Sequence, residues 1–113
     1  MYTIVNARHA FPERAGLCID RPNGRSDYTF IHFWSAVEIR QGEALCRTAP
    51  HACILYRRGT PQYYRCSTLL IHDWLHFTGE IDELLEECGV PLDRVFYPSR
   101  TDPLTALTRE LES

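Results

Sequence analysis

No run in this chain approaches the roughly 20 consecutive apolar residues that a membrane-spanning helix needs, and the N-terminus lacks the basic, apolar and small-residue succession of a secretory signal. A transmembrane helix and a secreted product are therefore not expected. The chain also lacks lysine, and its twelve arginines are outweighed by fifteen acids, for a formal charge of -3. That balance argues against a nucleic-acid-binding domain, because phosphate contacts demand a basic surface. Five cysteines, Cys18, Cys46, Cys53, Cys66 and Cys88, are odd in number, scattered, and form no C-x-x-C pair. A zinc knuckle and a disulfide framework are both excluded, and a reducing cytoplasm fits best. Internal repeats and low-complexity segments are absent as well.

What is present suffices for one small domain. With 113 residues, 44% of them hydrophobic, the chain can bury a single core and is too short for two. Its charge is uneven: residues 1 to 66 hold nine Arg against five acids, and residues 67 to 113 hold three against ten. The acidic part coincides with two predicted helices and reads as their solvated faces.

The organising stretch runs from Ala49 to Phe77: a strand Ala52 to Tyr56, an Arg58-Gly59-Thr60-Pro61 turn, a strand Gln62 to Arg65, and a long strand Ser67 to Phe77. On the last, alternation places Leu70, His72, Trp74 and His76 on one side and Leu69, Ile71, Asp73, Leu75 and Phe77 on the other. Both faces are rich, so the strand is expected to be covered twice, by a barrel interior on the His/Trp side and by a helix on the Leu/Phe side. Upstream, residues 1 to 20 predict two short strands, Thr3 to Val5 and Gly16 to Ile19, in an arm-like segment. Arg21-Pro22-Asn23-Gly24-Arg25 is a turn. From Asp27 to Ser35, Tyr28, Phe30, His32 and Trp34 share one face and Thr29, Ile31 and Phe33 the other. Val37 to Arg40 and Ala44 to Arg47 flank a Gln41-Gly42-Glu43 hairpin turn. About eight close-spaced strands predict a mainly β fold, a small β-barrel or jelly roll, followed by two C-terminal α-helices. The first, Glu80 to Cys88, carries an apolar stripe of Ile81, Leu84, Leu85 and Cys88 directed at the outer face of the long strand. The second begins with Asp102 as cap and Pro103, and its stripe of Leu104, Leu107 and Leu111 is the candidate subunit contact. The chain is thus read as one domain, with residues 1–20 as arm and first strands, 21–78 as barrel and 79–113 as helical extension.

The candidate ligand-binding residues are aromatic and imidazole side chains on these strands: His72, Trp74 and His76, with His32 and Trp34 joining the same side if the strands pair, and Tyr56 added from the face of Ile54. A Trp plate covers the CH face of a sugar, and His offers a donor or acceptor to hydroxyls. Asp73, alone among apolar neighbours, requires a partner and is read as structural, capping a loop or paired with an arginine such as Arg94. Arg57 and Arg58 beside Gly59 form either a solvated turn or an anion-binding corner. No activated carboxylate pair and no nucleophile with its base is evident, so no catalytic residue is assigned.

The segments Asp27-Tyr-Thr-Phe-Ile-His-Phe33, Cys53-Ile-Leu-Tyr56, Gly59-Thr-Pro-Gln62 and His72-Asp-Trp-Leu-His-Phe77, followed by an acidic amphipathic helix, resemble the N-terminal cupin-like domain of AraC/XylS-type bacterial transcriptional regulators. The resemblance spans roughly residues 20 to 112. It implies a cytoplasmic cupin-like barrel that binds a small effector, a sugar or related metabolite, and forms a homodimer through helices behind the barrel. DNA is contacted only through a separate C-terminal helix-turn-helix domain, absent from this chain. The leucine stripe running into the chain's end fits either a helix folded back on the barrel or, the preferred reading, a chain cut from a longer regulator. Two alternatives are a small metal-dependent cupin enzyme and a stand-alone sugar-binding cupin protein. Against the enzyme, the positions corresponding to cupin metal ligands are His32, Trp34, Glu38 and Gln62; Trp34 cannot ligate and Gln62 offers only an amide oxygen. His72 and His76 stand ~13 Å apart along an extended strand, too far to share one ion. No metal or other cofactor is expected.

Overall fold

Strands form where alternating side chains can be covered on both faces, and the described residues build eight. The computed structural model describes residues 2–112. In chain order the elements are β1 (Tyr2–Glu13), β2 (Leu17–Arg21), β3 (Tyr28–Phe33), β4 (Glu38–Gln41), β5 (Ala44–Arg47), β6 (Ala52–Tyr56), β7 (Gln62–Cys66) and β8 (Leu70–Gly79), then the helices α1 (Asp82–Glu87) and α2 (Asp102–Leu111). They assemble into two antiparallel four-stranded sheets, ordered β1-β8-β3-β6 and β2-β7-β4-β5. The fold is mainly β with two short helices, as the strand count predicts. The expected barrel is not closed: among the described residues no ladder joins one sheet to the other.

The sheets instead pack face to face. Ile31, Phe33, Ile54, Tyr56 and Leu70 of the first sheet meet Ile39, Tyr64 and Cys66 of the second in one buried cluster, and Phe33 and Tyr64 contact edge to face with ring centroids 5.1 Å apart. Full burial of such side chains stabilises the fold by about 1.5–3 kcal/mol each. A second cluster lies on the outer side of the first sheet, where Tyr28, Leu55 and Phe77 are covered by Ile81, Leu85, Val90 and Leu92. α1 therefore covers the Leu/Phe face through two of its four stripe positions. Leu84 is 56% exposed and Cys88 is also exposed, because a helix of only six residues turns one narrow side to the sheet. The Tyr28 hydroxyl donates to Asp82 at the start of this helix.

The arm is a correction. Both expected strands form, Gly16 to Ile19 corresponding to β2, but the first extends far beyond Thr3 to Val5 as a twelve-residue strand paired along β8, from Tyr2↔Gly79 to Glu13↔Leu70, with register shifts between Ile4 and Asn6 and between Arg8 and Phe11. Each bulge inverts the alternation of faces, so a continuous strand reads as broken in sequence. At the second bulge Ala10 takes a left-handed φ of 47°. Downstream, the Arg21–Arg25 turn closes as expected, with Gly24 N–H donating to Arg21 O at 3.0 Å. Gly24 has φ +65°, and a Cβ there would collide with the backbone of Thr60. Only glycine accommodates both demands.

The free edge of β6 is sealed by the chain that follows α1. Asp93 N–H donates to Leu55 O at 2.8 Å, and Cys53 and Phe96 exchange both backbone bonds at 2.8 and 2.9 Å. The Asp93 carboxylate binds Arg57 through backbone N–H and Nε, which holds Arg57 in a surface ion pair rather than in an open anion corner. Arg58 lies over the Tyr28 ring. In α2 the N-cap is Thr101 and Asp102 is the first helical residue, with no side-chain cap bond. Leu107 is 46% exposed, and the Leu104 side chain lies outside the described residues.

Candidate functional site

The long strand β8 has two functional faces, and its pairing with β3 fixes which residues share each. Directly opposed residues in an antiparallel pair project to the same side. Thr29, Ile31 and Phe33 oppose His76, Trp74 and His72, whereas Tyr28, Phe30 and His32 oppose Phe77, Leu75 and Asp73. The inner face thus carries His72, Trp74 and His76, as read from the alternation, but His32 lies on the outer face with Asp73. Trp34 follows it there. The expectation that His32 and Trp34 join the His/Trp side is overturned by this register.

Between the sheets is a cavity of about 380 Å³. β8 contributes His72, Trp74 and His76, β3 contributes Thr29 and Ile31, β1 contributes Val5, Asn6 and Glu13, and the opposite sheet contributes Leu17, Ile19 and Tyr64. Arg21 and Arg25, from the two ends of the Asn-Gly turn, complete the lining. Trp74 is oriented by its Nε1–H, which donates to Asn6 Oδ1 at 3.0 Å, and by Phe11, edge-on at 5.0 Å.

The cavity differs from end to end. Near His76, polar groups form a connected series: Arg21 Nη1 donates to Gln62 Oε1 (2.9 Å), Gln62 Nε2 donates to Thr29 Oγ1 (3.1 Å), and the Thr29 hydroxyl lies 3.2 Å from His76 Nδ1. Arg25 is engaged by Asp27 through two bonds of 2.7 and 3.0 Å. Burial works to raise the Asp27 pKa, but the Arg25 pairing wins and holds it below the usual carboxylate range. His76 is pushed down to about 4 by burial, with Arg25 adding to the effect, so it is neutral at pH 7. Burial also drives the Tyr64 phenol up to about 12 against the opposing influence of Arg21.

At the other end stands His72. It is 4% exposed, and burial lowers its pKa to about 4. Among the described residues neither ring nitrogen has a hydrogen-bond partner; the nearest charged group is Glu13, 3.8 Å from Nε2. The Tyr56 hydroxyl is likewise buried without a partner, and burial raises its pKa. Tyr56 shares the inner side through its pairing with Thr29 but borders a different depression, beside Gln62 and Asp93, not the cavity of His72.

The outer face is organised oppositely. Asp73 is fully buried and saturated: Ala10 N–H donates to Oδ1 at 2.7 Å, Trp34 Nε1–H to Oδ2 at 2.9 Å, and His32 Nδ1 stands 2.8 Å from Oδ2. His9 Nδ1 is 3.2 Å from Oδ1. Burial alone would raise the Asp73 pKa, but these donors hold it below the ordinary value. Its partners are thus histidines, an indole and the bulge amide, not Arg94. His32 Nε2 continues to His51 Nδ1 at 3.0 Å, and His9 reaches α2, where Glu112 accepts from the His9 backbone N–H at 2.9 Å.

The positions corresponding to cupin metal ligands do not converge. His32 is bound to Asp73 on the outer face, Glu38 pairs with Arg65 at 3.3 Å on the second sheet, and Gln62 is spent on Thr29 and Arg21. Among the described residues no three His, Cys, Asp or Glu side chains are placed to share an ion. No described helix is long and apolar enough to cross a membrane. Sequence reasoning missed Asn6, Glu13, Arg21 and Arg25; the alternation of Leu17, Ile19 and Arg21 toward one face was the available signal for the third. No protein-family model matches this chain, and no curated protein matches it.

Proposed function

We propose that this domain binds a small organic molecule between its sheets, with His72, Trp74 and His76 as contacts, and that it is the cytoplasmic effector-binding module of a bacterial AraC-type transcriptional regulator built on a cupin-like jelly roll. The observation that carries the binding reading is His72: a buried imidazole in the cavity wall, neither of whose nitrogens has a hydrogen-bond partner among the described residues. Leaving such a group unpaired costs about 1–3 kcal/mol, a cost that a ligand hydroxyl removes. The regulatory reading is supported by the order of elements, eight strands then two helices, together with the four sequence segments that resemble the family. On this reading DNA is contacted by a separate domain, and the domain self-associates through α2, on which Leu107 is half exposed. The effector acts by binding one arrangement of the domain more tightly than another.

Native mass spectrometry of the purified domain, with metal analysis on the same sample, tests the binding reading. An organic ligand carried through purification, and lost in His72→Leu and Trp74→Ala, is the expected result. One transition metal per chain without an organic ligand would overturn it and bring the enzyme reading forward.

A further inference from the structure

The two ends of the cavity are chemically unlike, and the difference specifies a ligand class. Of the two arginines, Arg25 is neutralised by Asp27. Arg21 has no carboxylate within ion-pairing distance among the described residues; its partners are the neutral amide of Gln62 and the phenol of Tyr64. The imidazoles are both neutral at pH 7, so Arg21 is the uncompensated positive charge at the His76 end. At the other end His72 offers one donor and one acceptor, with Glu13 beside it. The His72 and His76 positions are separated by roughly 13 Å of strand, and the wall between them is apolar: Trp74, Ile31 and Ile19.

We infer that the cavity takes a hydroxylated carboxylic acid, its carboxylate on Arg21 and a hydroxyl on His72. This rests on the binding reading above. A guanidinium facing a half-buried cavity is matched best by a planar anion, which it engages through charge-assisted, paired bonds. A hydroxyl both accepts and donates, so one placed beside the neutral His72 ring answers one of its nitrogens and has a second bond for Glu13. An ammonium only donates. A neutral polyol satisfies His72 and leaves Arg21 without its counter-charge, and a phosphate dianion exceeds the single uncompensated charge.

The experiment is calorimetric titration of the full chain with matched pairs differing only in the acid group: galacturonate against galactose, and gluconate against sorbitol, with glucosamine as the cationic control. At least one acid is expected to bind about tenfold or more tightly than its neutral partner. Arg21→Met should cut that preference to under about twofold while weak neutral binding persists, and His72→Leu should weaken both members of the pair. Equal or tighter binding of the neutral member, still lost in His72→Leu, overturns the carboxylate assignment and leaves the cavity reading standing. Preference for glucosamine overturns it in the same way. Binding unchanged in both His72→Leu and Trp74→Ala places the ligand elsewhere and defeats the cavity reading too. No binding of any acid up to about 10 mM also overturns the inference, and the mass-spectrometric result then decides the cavity reading alone.

Discussion

The two faces of β8 treat buried polar groups in opposite ways. On the outer face Asp73 is surrounded by three donors from two other parts of the chain, the β1 bulge and the end of β3 with His32 and Trp34. On the inner face, one residue away, His72 is also buried and has no hydrogen-bond partner among the described residues. Residues that hold a fold together are saturated within it. A group left open at the same depth is not explained by stability, and its ring belongs to the wall of the cavity.

The largest expected effect comes from dismantling the saturated face. Asp73→Ala leaves the indole N–H, the Ala10 N–H and a buried imidazole unanswered and should cost about 3–5 kcal/mol in urea unfolding, with Asp73→Asn recovering part of it. A loss under about 1 kcal/mol would mean that water replaces the carboxylate and that the two faces do not differ as described. Acid should act next. His72 and His76 titrate near 4 in the fold and near 6.5 when unfolded, so between these values the unfolded chain binds more protons. Their stabilising contribution is complete above about pH 6.5 and is lost as pH falls toward 4, by up to about 3 kcal/mol for each. Stability measured from pH 7 to 4 should show that slope, and His72→Leu should flatten it by about half.

At neutral pH the same His72→Leu exchange should change stability by less than about 1 kcal/mol, since it replaces an unpaired polar ring by an apolar side chain of similar size. Paired with loss of ligand, that near-neutrality is the sharpest form of the comparison. A large loss would instead show His72 to be structural. Smallest is Leu107→Arg on the exposed side of α2: stability should stay within about 0.5 kcal/mol, while sedimentation should shift from dimer to monomer. A wild-type domain that is monomeric at high concentration removes the proposed contact.

Much of this arrangement was legible in the chain. The limits of β5 and β6, the Gly42 hairpin, the Asn-Gly turn and the two-sided loading of β8 follow from period and turn chemistry alone. What alternation cannot supply is which face of one strand meets which face of its neighbour; only register does, and for that reason His32 and Trp34 were assigned to the wrong side. Only Thr3 to Val5 of β1 is legible, because two bulges interrupt its phase. Arg21 and Arg25 were hidden by their turn, whose ends are also cavity walls.

The pairing of β1 with β8 has a consequence for biosynthesis. Tyr2 meets Gly79 and Thr3 meets Thr78, so the first strand emerges long before its partner. At about 5–20 residues per second, it waits roughly 4–15 s on the ribosome before β8 is made. During that interval the edge that β8 will cover is open to other chains. Arg8, Arg14, Pro12 and the two bulges are the features that discourage illegitimate strand addition. The irregularities that concealed the length of β1 in the sequence thus also protect it while it waits.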